Sequence, residues 1–268
     1  KLEKLLVFYL DADVDYVAND GSSVWYTSAE VSPVENHLFK VSLSWKKNQG
    51  GVAQARIGKP VRLTKEEGWH DISMNPDCKF YVDSWSSLNV PRVANLMTSD
   101  GQKVRNLLTA SDPLADYAQC EVDFGTVKSA DGKYDNWYRL FKPLDFDPSK
   151  KYPVILYVYG GPHSQMVNDS WLGQVRMWEM YMAQKGYVVY VQDNRGTQNR
   201  GAEYEKSIHR QCGQNEMADQ MVGIEMLKSS RNSNSIYSIS SGALSISSMR
   251  STVRLSLNTD FNIGLSIS

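Results

Sequence analysis

The chain has 268 residues, 41% of them hydrophobic, with seven Trp and 15 Tyr, enough apolar surface to build a core. Its 29 basic and 30 acidic residues nearly cancel, and no Lys/Arg cluster of the kind that binds nucleic acid or an anionic membrane occurs, so no nucleic-acid partner is expected. The longest apolar runs, residues 153–159 and 187–191, are strand-sized and far short of the roughly 20 residues that span a bilayer, so no membrane-spanning segment is expected.

The first residue is Lys1, and no charged head, apolar stretch and small-residue cleavage site follows it. Any targeting signal is therefore expected upstream. Cys78, Cys120 and Cys212 are odd in number and widely spaced, with no C-x-x-C pair and no His at ligand spacing. They read as free or buried thiols, with no metal and no cofactor implied.

Residues 1–117 form the first compositional zone. Asn19-Asp20-Gly21, Pro33, Gly50-Gly51, Asn75-Pro76-Asp77 and Ser99-Asp100-Gly101 punctuate short runs such as residues 23–28 and 79–84. Turn residues supply the left-handed or Pro-restricted backbone that reverses a strand, so this zone is predicted to be antiparallel β. The turn spacing fits a sandwich or about two four-stranded propeller blades of roughly 40 to 50 residues each. Two blades cannot close a propeller, which takes about four to eight.

The rhythm changes over residues 118–228. After a hairpin signal at Asp131-Gly132 and a Pro-bounded linker (Pro143, Pro148), residues 153–159 do not alternate, which predicts a strand buried on both faces. Trp171, Val175, Trp178 and Met182 then recur at helical spacing and predict a helix on the sheet, with Gly186 at its C-cap. A second buried strand over residues 187–191 leads into Asp193-Asn194-Arg195-Gly196. A further helix follows Asn215, a predicted N-cap, with Met217, Met221, Ile224 and Leu227 on one face. Strand, helix, strand, loop, helix is α/β order.

Residues 229–268 stand apart in composition. Fourteen of the 40 are Ser, and Lys, Glu, Pro, Trp and His are absent. Alternations at Val253, Leu255, Leu257 and at Ile263, Leu265, Ile267 are compatible with strands, but so little charge is unlike an ordinary surface. The zone is expected to be non-native, a frame-change product, or disordered.

Tyr157-Val158-Tyr159-Gly160-Gly161-Pro162-His163-Ser164-Gln165, Gln184-Lys185-Gly186, Asp193-Asn194-Arg195-Gly196 and Arg200-Gly201 together resemble the first half of the hydrolase domain of prolyl oligopeptidase-type serine peptidases. Val24 to Phe39, with Leu63-Thr64 and Gly68-Trp69-His70, resemble the last propeller blades of the dipeptidyl peptidase IV branch. The resemblance covers roughly residues 13–228. It implies a fold of C-terminal β-propeller blades (1–117) followed by the first part of an α/β-hydrolase domain (118–228), with residues 229–268 as the anomalous tail.

It also implies an activity: removal of dipeptides after a penultimate Pro or Ala at a substrate's free N-terminus, by a parent enzyme that resembles extracytoplasmic, often homodimeric peptidases. Tyr159, at the end of a buried strand before a glycine turn, matches the family tyrosine that donates its hydroxyl to the oxyanion. The alternative for Tyr159 is a core aromatic. Gly160, Gly161 and Pro162 read as geometry of the turn. Asp193 and Arg195 read as a bidentate pair locking the loop after the second strand.

The triad is expected to be absent. His37 and His70 fall in the propeller-like zone, His209 in a polar stretch and His163 in the oxyanion loop, whereas the family's base follows its nucleophile. No Gly-x-Ser-x-Gly pentapeptide occurs, and Ser240-Ser241-Gly242 lacks the preceding glycine and the spacing. The paired glutamates that hold the substrate ammonium in the family belong to earlier propeller sequence. The chain is therefore expected to be inactive alone. The competing readings are a non-catalytic binding or interaction module of the same descent, and another prolyl oligopeptidase-type activity such as an acylaminoacyl peptidase or oligopeptidase.

Overall fold

A computed structural model describes residues 12–47, 51, 53–174, 177–229 and 233–240. The strand alternations expected between Val253 and Ile267 lie outside the described residues. Three sheets are built from the described residues, two antiparallel and one mixed.

The first antiparallel sheet runs β1 (Ala12–Val17), β2 (Ser23–Ser28), β3 (His37–Lys47) and β4 (Ala53–Ile57) in sequence order, with β5 (Val61–Arg62) pairing β3. The β1–β2 reversal is made at Gly21, at φ +68°, where Asp20 Oδ1 accepts the Ser22 N–H. The second sheet is the meander β6 (Trp69–Met74), β7 (Phe80–Ser87), β8 (Val90–Thr98) and β9 (Lys103–Thr109). Asn75 Oδ1 ties its first turn by accepting the Lys79 and Phe80 N–H groups. These are two propeller blades, the second four-stranded and the first four-stranded with the two-residue β5 added against β3.

The blades face each other across Trp25, Leu38, Leu63, Met74 and Tyr81. Full burial of side chains of this size contributes about 1.5–3 kcal/mol each. The His37 and His70 rings meet at 5.1 Å, tilted by 42°, within the same interface, with His37 between Thr64 and Glu35 and His70 on Asp83 at 2.8 Å. Burial and the neighbouring Arg62 push His37 down to about 3, so it is a neutral core residue at physiological pH.

The third sheet has the order β10 (Val122–Lys128), β11 (Asp135–Phe141), β13 (Val188–Gln192), β12 (Tyr152–Val158), β14 (Ser233–Ser240). β10 and β11 form a hairpin, β11 pairs antiparallel with β13, and β12 pairs parallel with both β13 and β14. The apolar run of β12 serves two faces, as its lack of alternation requires. Val154, Leu156 and Val158 pack with Tyr190, Ile224 and Leu227 toward α3 (Asn215–Ser229), and Ile155 packs with Phe141, Met180, Ala183 and Val189 toward α1 (Met177–Gln184). β14 falls within the Ser-rich stretch set apart by composition.

Both helices differ in detail from their periodicity. The stripe from Trp171 predicts a helix through that residue, whereas α1 begins at Met177. Trp171 sits in a short 3-10 turn in which Leu172 (φ +53°) and Gly173 (φ +63°) are left-handed, a conformation that an α-helix does not admit. Gly186, at φ +87°, closes α1 by donating its N–H to the Ala183 carbonyl. In α3 the buried face is Glu216, Asp219, Gln220, Gly223, Ile224 and Leu227, with Met217 and Met221 at its margin. Asn215 lies inside the helix, and its amide donates to the Ser207 carbonyl instead of capping.

Candidate functional site

Tyr159 stands one residue beyond β12, at the carboxyl end of the parallel pair β12–β13, the end at which open α/β sheets carry their sites. It is half-buried, and its hydroxyl has no hydrogen-bond partner among the described residues. Gly160 turns the chain at φ +71°. A Cβ on Gly161 would lie 2.8 Å from Tyr159 Cε1, so a larger residue there would push the ring aside.

After the turn, His163 takes a left-handed conformation (φ +55°), donates its N–H to the Gly196 carbonyl and pairs through Nδ1 with Glu205. Asp193 is fully buried and accepts the N–H groups of Met166 (2.8 Å) and Val167 (3.0 Å), one on each carboxylate oxygen. Burial pushes its pKa up to about 6, against the pull of those two N–H groups and of Arg200 and Arg139.

Arg139 and Glu179 form an ion pair with both side chains wholly inaccessible, at 3.2 Å. The same guanidinium donates to the carbonyls of Met166 and Gly173.

The expected Asp193–Arg195 pair does not form. Asp193 continues the ladder of β13, its N–H bonded to the Trp137 carbonyl, and its carboxylate faces the segment after Tyr159. Arg195 faces α3, where Asp219 receives its Nε and Nη2 at 2.8–3.1 Å, and its Nη1 reaches Asp131 at 2.9 Å in the β10–β11 turn. The Asp219 hydrogen bonds hold the guanidinium charged, above its usual range. Asp219 also accepts the N–H groups of Ala130 and Arg195. Both residues lock loops, each with a partner other than the one spacing suggested.

The histidines are dispersed. His37 and His70 have their partners inside the blades, His163 lies in the turn, and His209 is exposed beyond α2 (Ala202–Glu205). No cluster of His, Cys, Asp or Glu able to hold a metal occurs among the described residues, and no helix among them is long and apolar enough to cross a membrane.

Sequence reasoning set Ser240 aside. In the structure Ser240 ends β14 in parallel register with Val158, the residue before Tyr159. The stretch Ser238-Ile239-Ser240-Ser241-Gly242 departs from Gly-x-Ser-x-Gly at its first position. The signal available earlier was that order of small, Ser and Gly residues. Asp219, Arg139 and Glu179 carried no signal, because their partners lie 24 to 40 residues away.

Comparison with known proteins agrees with this layout. Residues 12–92 match the dipeptidyl peptidase IV N-terminal region and residues 174–236 match the prolyl oligopeptidase family. Mouse dipeptidyl peptidase 8 is 30% identical over 234 residues, covering 80% of this chain and 25% of its own length. The probable dipeptidyl peptidase 4 of Trichophyton verrucosum is 26% identical over 213 residues. The crystal structure of Porphyromonas gingivalis dipeptidyl peptidase 4 superimposes with a TM-score of 0.73 at 28% identity, covering 86% of this chain and 32% of that one. A putative dipeptidyl aminopeptidase IV from Bacteroides ovatus gives 0.62 at 30% identity. The chain thus spans about a quarter of the length of the relatives it matches. Its two propeller blades, its α/β sheet and these matches make it a member of the dipeptidyl peptidase IV branch of the prolyl oligopeptidase family of serine peptidases.

Proposed function

We propose that this chain carries the oxyanion side of a serine dipeptidyl peptidase that releases dipeptides with Pro or Ala second from a free N-terminus. The observation that carries the reading is the placement of Tyr159. Its hydroxyl has no hydrogen-bond partner among the described residues, and it stands at the carboxyl end of the central strands, just before a turn where a side chain at position 161 would displace its ring. When a serine oxygen adds to a peptide carbonyl, negative charge develops on the carbonyl oxygen. A preplaced phenol strengthens its hydrogen bond as that charge grows, worth about 3 kcal/mol.

The chain alone is proposed to turn over no peptide. The register of β14 favours Ser240 as the nucleophile position, since it pairs that residue with Val158, the last residue of β12 and the one before Tyr159. No histidine follows His209 in this sequence, however, so a serine there has no base of the family's order. By the same resemblance, the parent enzyme is proposed to be an extracytoplasmic homodimer.

The test replaces the matching third of the P. gingivalis enzyme by residues 12–228 of this chain and follows a Gly-Pro chromogenic substrate. Cleavage is expected, with Tyr159→Phe lowering kcat by roughly 10²–10³ and leaving KM nearly unchanged. A folded hybrid that does not cleave, or one indifferent to Tyr159→Phe, defeats the reading. The 268-residue chain by itself is expected to leave the substrate intact.

A further inference from the structure

Between the Tyr159 turn and α1 the chain leaves the sheet and runs against the blades. Gln165 Nε2 donates to the Pro33 carbonyl at 2.6 Å and to the Val167 carbonyl at 3.0 Å. The Asp169 N–H donates to the Val34 carbonyl at 2.6 Å, and Asp169 Oδ1 accepts the Leu88 N–H at 2.7 Å. The N–H of Trp171 reaches Ser86 Oγ and that of Leu172 the Leu88 carbonyl. Val34 of the blades shares one buried cluster with Tyr157, Val167 and Val191 of the α/β sheet. From the other side, the Asn199 amide donates to Gln165 Oε1 at 2.7 Å, and Asp193 holds the next two backbone N–H groups.

Gln165 therefore joins three pieces of chain: a blade turn, its own loop and the loop after β13. Only five residues separate it from Tyr159, and two of them are the glycines of the turn. Glycine stiffens nothing, so the place of Tyr159 has to be set by what anchors the loop on either side. A misplacement of about 1 Å in a reacting group can cost roughly 10²-fold in rate.

We infer that Gln165 is a positioning residue, which ties the Tyr159 turn to the blade backbone at Pro33 so that the propeller sets where the oxyanion donor stands. The inference rests on the reading of Tyr159 given above, but its test needs no turnover.

The 268-residue chain labelled with 3-fluorotyrosine gives a Tyr159 resonance, assigned by its loss in Tyr159→Phe. Gln165→Ala removes both ends of the tie. Gln165→Glu keeps size and shape and still accepts from Asn199, but it cannot donate to Pro33. Both variants are expected to shift the Tyr159 resonance and to speed amide exchange of Gly160 and Gly161 by roughly five- to tenfold, the loss of about one hydrogen bond. Val41→Ala, in the blade core, is expected to lower Tm and leave the resonance in place.

A Glu variant with wild-type resonance and exchange shows a space-filling side chain and overturns the inference. So does a Val41→Ala variant that moves Tyr159 as far as Gln165→Ala does. If Gln165→Ala does not fold, the isosteric Glu variant carries the comparison. Failure of both to fold makes the residue structural and also overturns it. A positive result beside an inactive hybrid enzyme would leave the tie standing and remove the proposed activity.

Discussion

The two halves of the molecule hold themselves together differently. In the blades, strands other than the short β5 pair with their sequence neighbours, turns are set by Asp20, Asn75 and left-handed glycines, and the interface is apolar apart from His37, His70 and the Thr64, Glu35 and Asp83 groups that they meet. In the α/β half, three buried ionic assemblies centre on Arg139, Asp193 and Arg195. The difference follows from what each half has to fix. A meander satisfies its backbone groups within its own ladders. The loops after β12 and β13 have no ladder, so their N–H and carbonyl groups need side-chain partners, and charged side chains make the strongest ones.

The largest effect that would break this contrast, if missing, is at Arg139. Arg139→Met removes the guanidinium that faces the buried Glu179 carboxylate and deprives the Met166 and Gly173 carbonyls of their donor. A loss of about 3–5 kcal/mol is expected in urea denaturation. Adding Glu179→Leu should recover a large part of it, because the buried carboxylate that had faced the guanidinium is then gone. A loss under about 1 kcal/mol would mean that the α/β half rests on apolar area as the blades do.

Asp193 sharpens the contrast through pH. Its pKa is raised from the ordinary 3.8 to about 6, so between those values the folded chain binds more protons than the unfolded one. Stability from this group is therefore fully present below about pH 4 and is lost as pH rises through about 6, by up to about 3 kcal/mol. Denaturation of wild type and Asp193→Asn at pH 4 to 7 should show wild type losing stability relative to the variant over that interval. Parallel profiles would place the Met166 and Val167 N–H groups, which favour the carboxylate, above burial as the dominant influence.

What was legible in the sequence divides along the same line. The blade strands, the two-faced strand β12, the second buried strand and the placement of Tyr159 at a strand end all rest on local pattern, which a single sequence carries. The start of α1 was misread because the apolar spacing from Trp171 to Met182 continues across Leu172 and Gly173, whose left-handed backbone breaks the helix without breaking the period. The partner of Arg195 was misread because a charged pair two residues apart looks sufficient, while the carboxylate that meets it lies on α3. β14 was hidden by composition. Its Ser content argues against a core strand, yet its backbone pairs in register along β12 from Pro153 to Val158. Long-range hydrogen bonding has no period, so the network around Tyr159 left no trace in the spacing of residues.

The smallest effect is the control on the blade side. Lys40 Nζ lies 2.7 Å from Asp100 and 4.8 Å above the Trp25 ring, with the Asp100 side chain 74% exposed. An ion pair that wet contributes about 0–1 kcal/mol and is screened by salt, whereas the contact with the buried Trp25 ring adds about 0.5–1 kcal/mol and persists. Lys40→Met is accordingly expected to cost at most about 2 kcal/mol at low ionic strength, and Asp100→Asn at most about half of that, with the Asp100→Asn effect disappearing in about 0.5 M salt. A cost above about 2 kcal/mol for either variant would show that charge holds the blades as well. The division between a half fixed by packing and a half fixed by buried ions would then fail at the place where packing should dominate most clearly.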